Sequence, residues 1–381
     1  MENEDLKNDD YESNMNANLD EEMIFSLEKN FPDIENIFAP NKDVDVLSKD
    51  SLIFLDTNIL LLPLTSQFDK KDIKVLESVY KELKKQKKIY ISDRVAREFM
   101  KNKDIKLSEL LKSIKNKSDS IKEIDILPNI FKSLSGFEEI NELSRKINDD
   151  IKKYKEEHNK IYKDIILWSK TDPITSIYKK IFDVNNIVIL ETKNKKNIIK
   201  EWDIRQRTKT PPGYKDSKKD DTGIGDFLIW KAMIQLSIKE NKDIVFITGE
   251  QKNDWYIRSD NNKFTLRPEL LNEFRYLTGR SIKLINLTTF LSVKGLPKET
   301  IKEFKKAEEM QNLSLNIFTP IYKELNENIS RGLVIPVMKK NEEIINNILQ
   351  KINDEESRNK EVFNSIVNNI KKLNISSEDS D

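Results

Sequence analysis

The chain has no cysteine and a single histidine, His158. The first absence excludes disulfides, thiolate zinc sites, iron–sulfur clusters and a cysteine nucleophile. The second excludes a histidine-rich metal centre, and a Ser–His–Asp triad would have to use that one residue. His158 lies among Lys and Glu in a helical stretch and reads as a surface residue. No apolar run approaches the ~20 residues needed to cross a bilayer. Residues 1–22 lack the basic-then-apolar pattern of a secretory signal. The expectation is a soluble, cytoplasmic protein with no membrane association. Hydrophobic residues make up only 37% of the 381, enough for a core under a very polar surface, whereas charged residues make up 35%. With Cys absent and His nearly so, carboxylates are the leading candidates for any chemistry.

Net charge is also missing, since 66 Lys plus Arg balance 66 Asp plus Glu. That balance hides an uneven distribution. Residues 1–22 hold nine acids and one base, a net −8, so residues 23–381 carry +8. By composition the leader reads as a solvated, disordered tail. The alternative is an acidic arm that competes with nucleic acid for a basic groove. The densest basic stretch spans residues 193–219, with ten bases against three acids, or +7. It includes Arg205, Arg207 and Lys209, and interleaves Trp202 and Tyr214. Bases neutralise phosphates and flat rings stack on nucleobases, so this composition suits a single-stranded nucleic acid. A solvated lysine-rich loop has a similar composition.

Hydropathy patterning places short, largely apolar strands at Ser51-Leu52-Ile53-Phe54-Leu55, Lys88-Ile89-Tyr90-Ile91-Ser92, Ile187-Val188-Ile189-Leu190, Ile244-Val245-Phe246-Ile247-Thr248 and Ser281-Ile282-Lys283-Leu284-Ile285. Such runs fit strands covered on both faces, as in parallel sheets. Helical patterning covers residues 70–86, a helix capped by Ser92 or Asp93, much of 101–200, 226–240 and 267–278. The helix from Asp226 is apolar nearly all round and should be buried. Thr288 or Thr289 is the expected cap of a short helix, and the chain reads as helical and polar from Pro297 onward. Strands alternating with helices imply an α/β fold, a central parallel sheet flanked by helices, with functional residues at the carboxyl ends of the strands.

Several acids fall at those ends. Asp56 closes the first strand in Leu55-Asp56-Thr57-Asn58. Glu98 lies early in the helix after the second strand. Asp226 opens the buried helix, and Glu250 and Asp254 follow the strand ending at Thr248. Oxygen-rich clusters suit Mg²⁺ or Mn²⁺. Metal-assisted phosphodiester hydrolysis needs such clusters and requires no histidine or covalent nucleophile. Each acid also has a structural reading. Asp56 could cap a turn, Asp226 could be an N-cap, Glu98 could pair with Arg94 or Arg97, and Glu250 and Asp254 could sit in a solvated loop. The joint placement of carboxylates beside very apolar elements favours a metal site over surface solvation.

These residues resemble the PIN domain, a fold of Mg²⁺/Mn²⁺-dependent nucleases that mostly cut single-stranded RNA. The stretch from Pro211-Pro212-Gly213-Tyr214-Lys215 through Gly225-Asp226-Phe227-Leu228-Ile229-Trp230-Lys231 to Thr248, Lys252, Asp254-Trp255 and Arg267-Pro268-Glu269-Leu270 is similar to a bacterial PIN-like subfamily with a long helical insertion. The resemblance covers about residues 50–292. It implies a nuclease domain at 49–292 with an insertion at about 101–210, and says nothing about the flanks, which composition and patterning read as an acidic leader at 1–48 and a C-terminal helical region at 293–381. It implies that Asp56, Glu98 and Asp226 bind the metal, that Glu250 or Asp254 completes the site, and that Asn58 and Thr248 support the carboxylates. Glu250 departs from the family pattern, which has Asp there. Lys252 and Arg267 are the implied phosphate contacts, while Asp220 and Asp221 read as loop residues. The implied function is a metal-dependent endoribonuclease, with a toxin or antiviral defence role in its bacterial context. The alternatives are an inactive RNA-binding or assembly module, favoured by Glu250, and a DNA-directed nuclease on the same acids. The C-terminal helices could bind a protein partner or form a homodimer.

Overall fold

A computed structural model describes residues 23–65, 68–168, 171–191, 195–216, 221–249, 252–259 and 262–313. Residues 1–22 of the acidic leader, Glu250, Asp220, Lys193, Lys218, Lys219 and the chain beyond residue 313 lie outside the described residues.

A short helix α1 (Ser26–Asn30) precedes strand β1 (Ser51–Leu55), all five of whose residues are buried. Helix α2 (Thr57–Thr65) follows after one residue, then α3 (Lys70–Lys85). Asp69 starts α3 with a capping box, its side chain taking the Lys71 and Asp72 amides while Asp72 reaches back. Strand β2 (Ile89–Ser92) leads directly into α4 (Asp93–Ser120), and the Ser92 hydroxyl caps it by accepting the Val95 amide. Helix α5 (Phe137–Leu167) packs back on α4. Helix α6 (Pro173–Ile181), capped by Asp172, leads to the two-residue strand β3 (Ile187–Val188). Helix α7 (Lys195–Arg207) and the buried helix α8 (Gly225–Glu240) precede strand β4 (Asp243–Ile247). A hairpin of β5 (Tyr256–Ser259) and β6 (Asn262–Leu266), helix α9 (Pro268–Thr278), strand β7 (Ile282–Ile285), α10 (Leu287–Val293) and α11 (Lys298–Leu313) complete the order.

Five strands form one sheet in the order β3-β2-β1-β4-β7, and every pairing is parallel. The core lies on both faces of β1 and β4, where Ile53, Phe54, Val245 and Ile247 are buried. Each such side chain contributes roughly 1.5–3 kcal/mol relative to exposure. Among the described residues no helix is long and apolar enough to cross a membrane.

Four local expectations change. The hairpin of β5 and β6 was not foreseen, although two β-prone runs flank Asp260-Asn261-Asn262, a hairpin signal. The strand expected at 187–190 stops at Val188. Strand β3 lies inside the stretch read as an insertion, and it pairs with β2. Helix α10 is capped by Asn286, whose side chain takes the Thr289 amide, not by Thr288 or Thr289. Thr288 instead donates to Glu308 of α11.

Candidate active site

The parallel register sets Leu55 beside Ile247, so Asp56 and Thr248 emerge next to each other at the carboxyl end of the sheet. The Asp56 amide donates to the Ile247 carbonyl at 3.1 Å. Asp56 is where β1 gives way to α2. Its Oδ1 accepts the Thr57 amide at 2.7 Å, and its Oδ2 accepts Asn58 Nδ2 at 2.7 Å and Thr248 Oγ1 at 2.6 Å. Asn58 Oδ1 takes the Gly249 amide at 3.0 Å. Asn58 and Thr248 therefore fix the orientation of the Asp56 carboxylate. Gln311 of α11 donates to the Asn58 carbonyl at 2.9 Å and closes this corner from the other side.

Glu98 sits on the second turn of α4, one turn beyond Arg94. The Thr57 hydroxyl donates to Glu98 Oε2 at 2.7 Å, so Asp56 and Glu98 are joined through a single residue. Arg94 Nε donates to Glu98 Oε1 at 2.6 Å, and Arg94 Nη2 donates to Asp221. Arg97 turns the other way and pairs with Asp93. For Asp221, burial works against the charged form, but Arg94 and the Gly223 amide outweigh it and hold the carboxyl below its ordinary range.

Asp226 is the second residue of α8, and the N-cap position belongs to Ile224, which offers no side-chain cap. Its neighbour Gly225 lies against Glu98. A Cβ placed on Gly225 would stand 2.7 Å from Glu98 Oε1. The absence of that Cβ lets the start of α8 approach the acid on α4. Lys252 Nζ reaches Asp226 Oδ2 at 3.2 Å, and Trp255 Nε1 lies 3.4 Å from the same oxygen.

Thus Asp56, Glu98 and Asp226, from three separate elements, are brought to one corner of the fold. Asp254 is placed differently. It is fully buried, and its Oδ2 accepts the Gly213 amide at 2.9 Å, which ties down the Pro211-Pro212-Gly213 turn. Glu250 lies outside the described residues. Arg267 contacts the Asn253 carbonyl at 3.2 Å and Glu269 at 2.5 Å.

The basic stretch is corrected in part. Trp202 is 4% exposed, stacks on Phe227 with ring centroids 5.6 Å apart, and donates to Thr222. Arg205 is 7% exposed, binds the Pro211 carbonyl and Glu273, and lies over the Phe227 ring. Both are core residues, because α7 turns this face inward, and neither is available to a nucleic acid. Arg207, paired with Asp203 at 3.0 Å, and Lys209 remain exposed, and Tyr214 is half-buried. His158 is half-buried beside Tyr154 on α5, with ring centroids 4.3 Å apart.

The donor set at the corner is all oxygen, which matches a hard divalent ion such as Mg²⁺ or Mn²⁺. Among the described residues no three acids stand close enough to enclose an ion as they are placed. Glu98 and Asp226 each hold a basic side chain instead. The residues fit the ion in donor type and common position. Sequence reasoning assigned no role to Thr57 or to the Arg94–Asp221 contact. The spacing of Arg94 four residues before Glu98 was a signal for part of it. The partners Thr57 and Asp221 come from elsewhere in the chain and left no local trace.

The model of a family described as a PIN like domain matches residues 52–270. Proteins with such domains are typically metal-dependent nucleases. No curated protein and no solved structure matches this chain.

Proposed function

This chain belongs to the PIN-like domain family, and on that premise we propose that it is a metal-dependent endoribonuclease acting on single-stranded RNA. The observation that carries this reading is the junction through Thr57 of Asp56 and Glu98, acids 42 positions apart in the chain, with Gly225 at the start of α8, next to Asp226 in the chain, set against Glu98. Asp56, Glu98 and Asp226 would hold Mg²⁺ or Mn²⁺, with Glu250 as a further candidate. A divalent ion bound there lowers the pKa of a water and neutralises charge on the phosphate. Asn58 and Thr248 orient the Asp56 carboxylate through the bonds described above. Lys252 approaches the backbone phosphates from the Asp226 side, and Arg207, Lys209 and Tyr214 extend the contact to the flanking strand. Asp254 acts through the Gly213 turn that it anchors.

The test is cleavage of end-labelled single-stranded RNA, and of DNA of the same sequence, with Mg²⁺, Mn²⁺ or EDTA. The expected result is metal-dependent cutting of RNA that Asp56→Asn abolishes. Equal inertness of wild type and variant with both ions would refute it, and preferential cutting of DNA would reassign the substrate. One observation favours a second reading, a non-cutting RNA-binding module: Glu98 and Asp226 each carry a basic partner. RNA retention without cleavage would select it. Cutting of cellular RNA would arrest growth, as a toxin or antiviral effector does. Expression of wild type against Asp226→Ala in bacteria tests that role, and equal growth would count against it.

A further inference from the structure

The corner that gathers the acids also supplies its own cation. Both oxygens of Glu98 are engaged, Oε2 by the Thr57 hydroxyl at 2.7 Å and Oε1 by Arg94 Nε at 2.6 Å. The same guanidinium reaches Asp221 through Nη2. Asp221 sits in the loop entering α8, where its Oδ1 takes the Gly223 amide at 3.1 Å. A planar fork thus bridges two carboxylates, one on α4 and one before α8. It also lies against Gly225, where a Cβ would stand 3.1 Å from Nη2. These are the elements that flank the proposed metal position. Thr57 is held where α2 begins and is buried, whereas Arg94 is on a long stem with 26% of its side chain exposed. An ion that engages Glu98 has one partner it can displace, and that partner is Arg94.

We propose that Arg94 is a built-in counter-ion of this site. It holds Glu98 and Asp221 until a divalent ion takes its place, and the released guanidinium then grips an RNA phosphate. The proposal rests on the metal-dependent reading above and adds a coupling to it. Removal of Arg94 by a phosphate makes room for the ion, and removal by the ion frees Arg94 for the phosphate. Each ligand therefore raises affinity for the other by the same factor. Arg94 acts as a positioning residue for metal entry, and it becomes a phosphate contact only when RNA is bound.

The experiment is calorimetric titration of Mn²⁺ into the full chain, with and without a 2′-O-methyl RNA whose intactness through the titration is verified by gel electrophoresis. Arg94→Gln should bind Mn²⁺ about tenfold tighter than wild type without RNA, the factor that one charge-assisted bond is worth. Arg97→Gln removes the same charge from the neighbouring turn without touching Glu98, and should change affinity less than about twofold, the scale of an exposed ion pair. RNA should tighten Mn²⁺ binding by wild type and have much less effect on Arg94→Gln. Asp221→Asn releases one end of the fork and should also tighten Mn²⁺ binding, although it removes a negative charge. If Asp221 were itself a ligand, that variant would bind more weakly. Arg94→Gln binding no tighter than wild type, or Asp221→Asn binding more weakly, overturns the proposal while leaving the nuclease reading intact. Absence of Mn²⁺ binding by wild type and both variants overturns both. Circular dichroism verifies folding, and Asp221→Asn carries the test if Arg94→Gln does not fold.

Discussion

Gly225→Ala should leave the fold standing and disable the site. Gly225 opens α8 with a backbone conformation that other residues adopt, so alanine brings no strain of its own. In a helix interior the exchange favours the folded state by up to about 1 kcal/mol, and by less at a first position. The new Cβ would stand 2.7 Å from Glu98 Oε1, where ordinary contact begins at 3.4 Å, and 3.1 Å from Arg94 Nη2. Both atoms are the ends of long side chains, so they move and the backbone does not. The Glu98 carboxylate is displaced by most of an ångström from its place beside Thr57. A misplacement on this scale costs on the order of 10²-fold in rate. Urea unfolding and Mn²⁺-dependent cleavage of labelled RNA, measured on one preparation, check both halves. Cleavage at the wild-type rate would refute the placement of Glu98 in the chemistry. Destabilisation beyond about 1 kcal/mol would refute the claim that only flexible ends give way.

Other consequences can be measured separately. Gly213→Ala should instead destabilise the fold, by roughly 1–2 kcal/mol or more in urea, because φ is +94° and a Cβ would meet Trp202 at 3.1 Å and the Gly223 carbonyl at 3.3 Å. Asp172→Asn should cost up to about 3–5 kcal/mol, since it leaves the nearly buried Lys103 ammonium without its buried carboxylate at 3.1 Å and with only the exposed Asp104 at 3.8 Å. Burial works against the Asp172 charge, but the Thr175 bonds and Lys103 outweigh it and hold its pKa below the ordinary 3.8. Its contribution is therefore present above that value and is lost as pH falls through the folded pKa. Wild type should lose this part of its stability in acid, and Asp172→Asn should not show that loss. Arg205→Gln should destabilise the protein by about 1.5–3 kcal/mol, the scale of charged hydrogen bonds lost at Glu273 and Pro211. Arg207→Gln should shift stability by less than about 0.5 kcal/mol, and should weaken RNA binding with a shallower salt dependence.

Much of the sheet was legible because a strand covered on both faces must be largely apolar, and residues 52–55 of β1, 89–91 of β2 and 244–247 of β4 carry that signature in unbroken runs. The site was legible as far as strand ends reveal it. Asp56 follows the last apolar residue of β1, and the carboxyl ends of parallel strands gather at one edge. Residues 193–219 show where composition stops. The stretch is basic and aromatic, yet Trp202 and Arg205 are buried while Arg207 and Lys209 are exposed. Charge counting has no knowledge of which face of α7 meets Phe227 and Glu273. The hairpin of β5 and β6 had a turn signal but only short flanking runs.

By itself the sequence determined most of the central strands, the burial of α8, and which acids stand at the ends of these elements, because these follow from local polarity and its period. Only the tertiary structure decided what each acid touches. Thr57 meets Glu98 across 41 positions, and Thr248 meets Asp56 across 192. Contacts of that length depend on how separate elements pack, and the same packing set Arg94 between Glu98 and Asp221 and enclosed Asp254 beneath the Gly213 turn.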